Sequence, residues 1–185
     1  HTDYNDGWVL PIAIDRHTAV VAAERQSSRQ VRVYSLGLEE EISLSLEDLD
    51  HPHPQHWARY VQGVIAEYQR MGVRCQGLDI VIASSVPTGG GLSSSAALEV
   101  AIAHLLEAIS GQPVHSRDRV LACVQAERQM AGVPCGLMDQ TVVDMAEAGH
   151  ALAFDCASQD ATPVPLTLDN ISLLVVHSGV SHALA

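Results

Sequence analysis

The chain has 185 residues, 47% of them hydrophobic, and a formal net charge of −12. That is enough apolar material for one domain with a sizeable core. With 10 basic residues against 22 carboxylates, the charge argues against a nucleic-acid backbone and against an anionic membrane surface as partners. All the basic residues are arginines, so any bound phosphate has to be held by Arg, backbone N–H groups, a helix N-terminus or a metal ion. The four cysteines, Cys75, Cys123, Cys135 and Cys156, form no close pair, which excludes zinc-type spacing and fits a reducing compartment. No apolar run reaches membrane-spanning length and no signal-peptide pattern opens the chain, so a cytoplasmic location is expected. Both ends are expected to be cut, since the chain opens on His1 rather than Met.

In chain order, the Val/Ile/Ala-rich runs Trp8 to Ile14 and Thr18 to Ala23 predict strands. Gln30 to Tyr34 and Ser43 to Leu46 predict two more. The prolines in His51 to His56 predict a loop rather than a histidine metal site. Trp57, Tyr60, Val61, Val64, Ile65 and Tyr68 fall at helical spacing, with Gly72 as the stop. Leu78 to Ser84 reads as a buried strand running into Pro87 to Ala97. A helix follows to about Ile109, presenting Leu98, Ile102, Leu105, Leu106 and Ile109 on one face. Ser116 is placed as the N-cap of a second helix through Met130. A third helix is expected from Met138 to Ala148, then strands at Ala151–Asp155 and Ser172–His177. Intermixed strands and helices imply an α/β or α+β fold.

Three sets of residues carry chemistry. The first is Gly89, Gly90, Gly91, Leu92, Ser93, Ser94 and Ser95, between a buried strand and a helix start. Glycines let backbone N–H groups approach a ligand, and the helix N-terminus adds free donors and partial positive charge. The combination is an anion site suited to phosphates. It lacks the Gly-Lys-Ser/Thr ending of a Walker A loop and the spacing of a dinucleotide fingerprint. The second set is two carboxylates. Glu127 lies on the stripe of Val120, Cys123 and Val124, where an apolar residue belongs, and a buried carboxylate there wants a cation such as Mg²⁺. Asp139 sits in the first turn of the third helix. There it either complements the macrodipole or serves as a base for a hydroxyl group. The third is the opening His1-Thr-Asp3-Tyr-Asn5-Asp-Gly7, a loop dense in donors and acceptors that suits a sugar or a plain polar turn.

Taken together, these segments resemble the galactokinases of the GHMP superfamily. The opening heptad with Val9 to Ile14 is similar to their N-terminal signature. Pro87 to Ala97 is similar to the superfamily's ATP-binding motif, and Gln125 to Glu127 with Ala131 to Gln140 to a third recognisable stretch. The resemblance implies an α+β GHMP kinase N-terminal domain (ribosomal protein S5 domain 2-like), a mixed sheet with packed helices, over residues 1–185. The C-terminal domain would only begin near 170–185. It implies Mg-ATP-dependent phosphorylation of the 1-hydroxyl of galactose by a protein that is a monomer when intact. His1, Thr2, Asp3 and Gly136 would bind galactose beside Asp139, the catalytic aspartate. Gly89 to Ser95 would wrap the ATP phosphates, and Ser95 and Glu127 would ligate Mg²⁺. The family's Gly-Arg-Val-Asn-Leu-Ile-Gly-Glu stretch would precede His1, and a sugar-contacting tyrosine and a second glycine-rich motif would follow Ala185. The 185 residues alone are therefore expected to be inactive or nearly so. Alternatives within reach of the resemblance are an N-acetylgalactosamine or arabinose kinase and a non-catalytic sugar sensor; the intact Ser93 to Ala97 stretch disfavours the sensor.

Overall fold

The computed structural model describes residues 2–167 and 172–176. Among these residues two sheets form, one of four strands and one of three. The larger combines β2 (Thr18–Glu24), β3 (Gln30–Ser35), β4 (Glu40–Ser45) and β5 (Leu78–Ser84) in the order β2-β5-β3-β4. Its β2–β5 and β3–β4 pairs are antiparallel, and β3 and β5 run parallel. A parallel pair needs a crossover, and α1 (His56–Arg70) is part of it. The smaller sheet is β1 (Trp8–Val9), β6 (His150–Asp155) and β7 (Asp160–Pro165), all antiparallel. The fold is thus the expected mixed α+β arrangement.

The pleat explains the strands. Val31 and Val33 on β3 and Ile42 and Leu44 on β4 point inward, joined by Leu78, Ile80 and Ile82 on β5. The helices α1, α2 (Ser94–Ser110) and α3 (Ser116–Ala126) cover that face. On α1 the stripe Val61, Val64, Ile65 and Tyr68 is buried as its spacing predicts. Gly63, on the same helix, is where α1 meets α3. A Cβ built there would stand 2.8 Å from Ala126 Cβ and 3.0 Å from Ala126 Cα. Overpacking of this kind costs about 1–3 kcal/mol, more than the ~1 kcal/mol that alanine gains over glycine in a helix. Gly63→Ala is therefore expected to lower the midpoint of urea unfolding without changing its slope.

Several expectations need correction. Pro11 cuts the first strand to Trp8–Val9, leaving a lone bridge from Ile12 to Ala151. His115, not Ser116, caps α3: its ring accepts the Arg117 N–H, while the Ser116 hydroxyl donates to Asp144. The second helix is α-helical only to Ala126 and continues as a π-helical turn, Glu127–Ala131. α2 is rotated from its expected face: Ala96, Glu99, Val100, Ile102, Ala103 and Leu106 are buried, whereas Leu98, Leu105 and Ile109 are only partly so. The third helix, α4, stops at Met145. β7 was not expected, because Pro163 and Pro165 cannot donate to a ladder; as an outer strand of its sheet it has no need of those donors. The strand expected at Ser172–His177 does not form over 172–176, where the chain pairs with no described strand and Leu174 is 85% exposed. His177 and the rest of 177–185 lie outside the described residues, as does His1.

One ionic network ties the helices together. Arg119 on α3 donates to both Glu107 oxygens at 2.8 and 2.9 Å and to Asp144 at 2.7 Å. Tyr68 Oη from α1 reaches Glu107 at 2.7 Å. Burial alone would raise the Glu107 pKa, but hydrogen bonds from Arg119, the Val114 N–H and Tyr68 outweigh it and hold the carboxyl at about 2. A depressed carboxyl of this kind stabilises the fold above its unfolded pKa. That contribution is lost as the pH falls from the ordinary Glu value toward 2.

Candidate active site

The glycine–serine loop runs from the end of β5 to the start of α2. Its root is tied down: Ser85 Oγ accepts the His17 N–H at 2.9 Å, and Thr18 Oγ1 and Ser84 Oγ lie 2.8 Å apart. Gly89 and Gly91 take φ of 69° and 71°, a region glycine enters without penalty. Ser93 also has a positive φ, 57°, so the chain reverses sharply into α2. Among the described residues Gly89 to Leu92 make no hydrogen bond outside their own turn, which leaves N–H groups there beside the donors of the helix start.

Two carboxylates face this loop. Asp139 in the first turn of α4 is half-buried and hydrogen-bonded by the Ser93 side chain. Burial raises its pKa, the Ser93 bond opposes that, and the nearby negative charge of Asp3 raises it further. Glu127 opens the π-helical turn and is 4% exposed, as its place on an apolar stripe predicts. Burial raises its pKa, while Ser95, Cys135 and Gln140 bond the carboxylate and pull it back. The wider π turn leaves Glu127 on the interior side as the helix ends. Tyr60 on α1 lies close by, and burial, then Glu127 and Glu99, push its hydroxyl up to about 12.

The opening segment closes over the same place. Asp3–Asn5 is a single 3-10 turn, and a Cβ built on Gly136 would fall on the Asp3 carboxylate. Gly136 is thus a glycine because Asp3 occupies its side-chain space. Arg128 holds this stretch by donating Nε and Nη2 to the Cys135 carbonyl at 2.9 and 2.6 Å. Thr2 is exposed, and its hydroxyl donates to the Trp8 carbonyl at 3.0 Å, so it holds the turn.

The structure therefore gathers Asp3, Gly136, Asp139, Ser93, Ser95 and Glu127 around the loop, and keeps Thr2 on the turn beside them. Sequence reasoning missed Glu99 and Gln140. Both are fully buried, and Gln140 Nε2 donates to Glu99 and to Glu127 at 2.9 and 2.6 Å. Burial and the neighbouring Glu127 push the Glu99 pKa well up. The signal was present: Glu99 shares a helical stripe with Ala96, Val100 and Ala103, as Glu127 does with Cys123 and Val124. Among the described residues no group of three or more His, Cys, Asp or Glu could hold a metal ion by itself. The three loop histidines go separate ways, with His51 on Asp48, His53 on the Gln55 N–H and His56 on the Ala131 carbonyl. No helix among the described residues is long and apolar enough to cross a membrane.

Residues 59–147 match the GHMP kinases N terminal domain, and residues 1–24 match the galactokinase galactose-binding signature. Galactokinases of Chloroflexus aurantiacus and Chloroflexus aggregans are each 39% identical over all 185 residues, which is 47% of their own length. The chain thus spans about half the length of these curated relatives. The crystal structure of Lactococcus lactis galactokinase complexed with galactose superposes with a TM-score of 0.85 at 30% identity, covering 91% of this chain and 44% of that one. A D-glycero-D-manno-heptose 1-phosphate kinase from Bacteroides thetaiotaomicron, at 17% identity and a TM-score of 0.70 over 90% of this chain and 53% of its own, shares the fold. The chain is thus similar to the GHMP kinases over residues 59–147, and its first 24 residues match the galactose-binding signature of the galactokinases.

Proposed function

We propose that this chain is the nucleotide- and sugar-binding half of a galactokinase, which transfers the terminal phosphoryl group of Mg-ATP to the 1-hydroxyl of galactose. The observation that carries this reading is that the opening turn, through Asp3 beside Gly136, and the glycine loop, through Ser93, both come close to Asp139. A sugar on the Asp3 side and a phosphate chain on the loop side would bring acceptor and donor to one carboxylate. Phosphoryl transfer asks for such positioning and charge neutralisation more than for covalent chemistry. In this reading His1, Thr2, Asp3 and Gly136 hold the sugar. The N–H groups of Gly89 to Leu92 and the serines Ser93 to Ser95 cradle the phosphates. Asp139 accepts the proton of the attacking hydroxyl. Ser95 and Glu127, a hydroxyl and a buried carboxylate already paired, are hard oxygen donors that fit Mg²⁺. Bound there with the nucleotide, Mg²⁺ would neutralise charge on the phosphate oxygens. The protein would act in the cytoplasm, as a monomer, with its second GHMP domain starting near 170–185.

Gly136→Ala tests the sugar side. The added methyl displaces the Asp3 carboxylate, so KM for galactose is expected to rise by about tenfold or more, the scale of losing one charged hydrogen bond, with KM for ATP unchanged. The reaction itself is tested by ADP release from Mg-ATP across a sugar panel, using the full-length protein. Release with galactose, and not with arabinose or N-acetylgalactosamine, supports the reading. Nucleotide and galactose binding without turnover would make the protein a sensor.

A further inference from the structure

The reading above leaves two buried side chains without a role. Glu99 on α2 and Gln140 on α4 are both 0% exposed, and each lies where an apolar residue would pack more cheaply. Gln140 Nε2 donates to Glu99 Oε2 at 2.9 Å and to Glu127 Oε2 at 2.6 Å, joining α2, α4 and the π turn at one nitrogen. A carboxamide carries both its N–H groups at one end and only an acceptor at the other. With a carboxyl oxygen on each side, only the orientation that puts Nε2 between them gives both an N–H, although Gln140 Oε1 and Glu99 Oε1 then have no partner among the described residues. The flipped one would set Gln140 Oε1 against both oxygens. Glu99 thus selects the orientation in which Glu127 receives an N–H. That bond holds one Glu127 oxygen and fixes the plane of its carboxylate. Gln140 also follows Asp139 directly, so the same bonds anchor the turn that carries the proposed base.

We propose that Glu99, acting through Gln140, is a positioning residue that orients the Glu127 carboxylate for the divalent cation of the nucleotide complex. This rests on the assignment of Glu127 to Mg²⁺ made above. Accepting an N–H needs only an oxygen, which glutamine supplies as well as glutamate. Leucine does not, although it suits the apolar stripe of Ala96, Val100 and Ala103.

The test compares Glu99→Gln and Glu99→Leu in the full-length protein. Mn²⁺ is titrated by electron paramagnetic resonance in the presence of a non-hydrolysable ATP analogue, and melting is followed in parallel. The expected result is that Glu99→Leu weakens Mn²⁺ binding by about tenfold, the usual scale for losing a hydrogen bond behind a metal ligand. It would also raise the Mg²⁺ concentration for half-maximal turnover by a similar factor. Its galactose KM would stay within about twofold of wild type and its melting temperature at or above it, and Glu99→Gln would stay within about twofold of wild type throughout. Wild-type Mn²⁺ affinity in Glu99→Leu would overturn the proposal. So would equal losses in both variants accompanied by lower melting temperatures, which mark a packing role. The titration needs no turnover. Failure to phosphorylate galactose would therefore count against the function alone, and the Mn²⁺ result would still decide this proposal.

Discussion

Asp139→Asn is expected to lower the rate of phosphoryl transfer by about 100- to 10,000-fold, the range that a positioned general base contributes. Asparagine keeps the shape and can still bond Ser93, so nucleotide affinity should change little. The same carboxyl should set the acid limb of the wild-type pH–rate profile. Burial and the charge of Asp3 raise its pKa, and the reactive form is the ionised one. The rate should therefore fall as the pH drops through a value above that of an ordinary aspartate. Removing the Ser93 hydroxyl, which favours the charged form, moves that limb to higher pH. Rapid-quench kinetics at several pH values read the effect on the chemical step. An Asp139→Asn variant within a few-fold of wild type would make Asp139 a helix-start residue complementing the macrodipole and nothing more.

The second large effect concerns stability. Arg119→Met should cost about 3–5 kcal/mol, because it strands two buried carboxylates. The Arg119 side chain is 11% exposed, Glu107 is 9% and Asp144 is 0%, so water cannot replace the lost partner. His104 remains 3.0 Å from Asp144 and is a partial substitute only when protonated. Adding Glu107→Gln to Arg119→Met should recover part of the loss, since it removes one of the stranded charges. Denaturant unfolding of the single and double variants gives the comparison. Additive losses would show that the three groups do not act as a network.

How much of this was legible in the sequence differs from residue to residue. Glu127 was, because a carboxylate on the stripe of Val120, Cys123 and Val124 breaks a pattern that only burial explains. Glu99 breaks a pattern in the same way and went unseen. The large residues Leu98, Leu105 and Ile109 weigh more in a periodicity than Ala96 and Ala103, yet the alanines are what let α2 pack closely, so the helix turns its small face inward. The glycine loop could be read as an anion site from its place between a strand and a helix. The left-handed turn at Ser93, and its bond to Asp139, depend on where α4 lies and have no local signature. The meeting of Asp3 with Gly136 joins residues far apart in sequence, and only the resemblance pointed to it. The π turn at Glu127–Ala131 likewise has no marker in its residues. β7 was hidden by its own prolines.

The central claim is that the loop, Asp139 and the opening turn form one phosphotransfer site for the anomeric hydroxyl of galactose. The most direct test follows galactose and Mg-ATP with the full-length protein by phosphorus NMR. The account predicts a new sugar 1-phosphate resonance that grows as ATP declines, in wild type and not in Asp139→Asn. ATP consumed without that resonance, or a phosphate appearing on another hydroxyl, would contradict it.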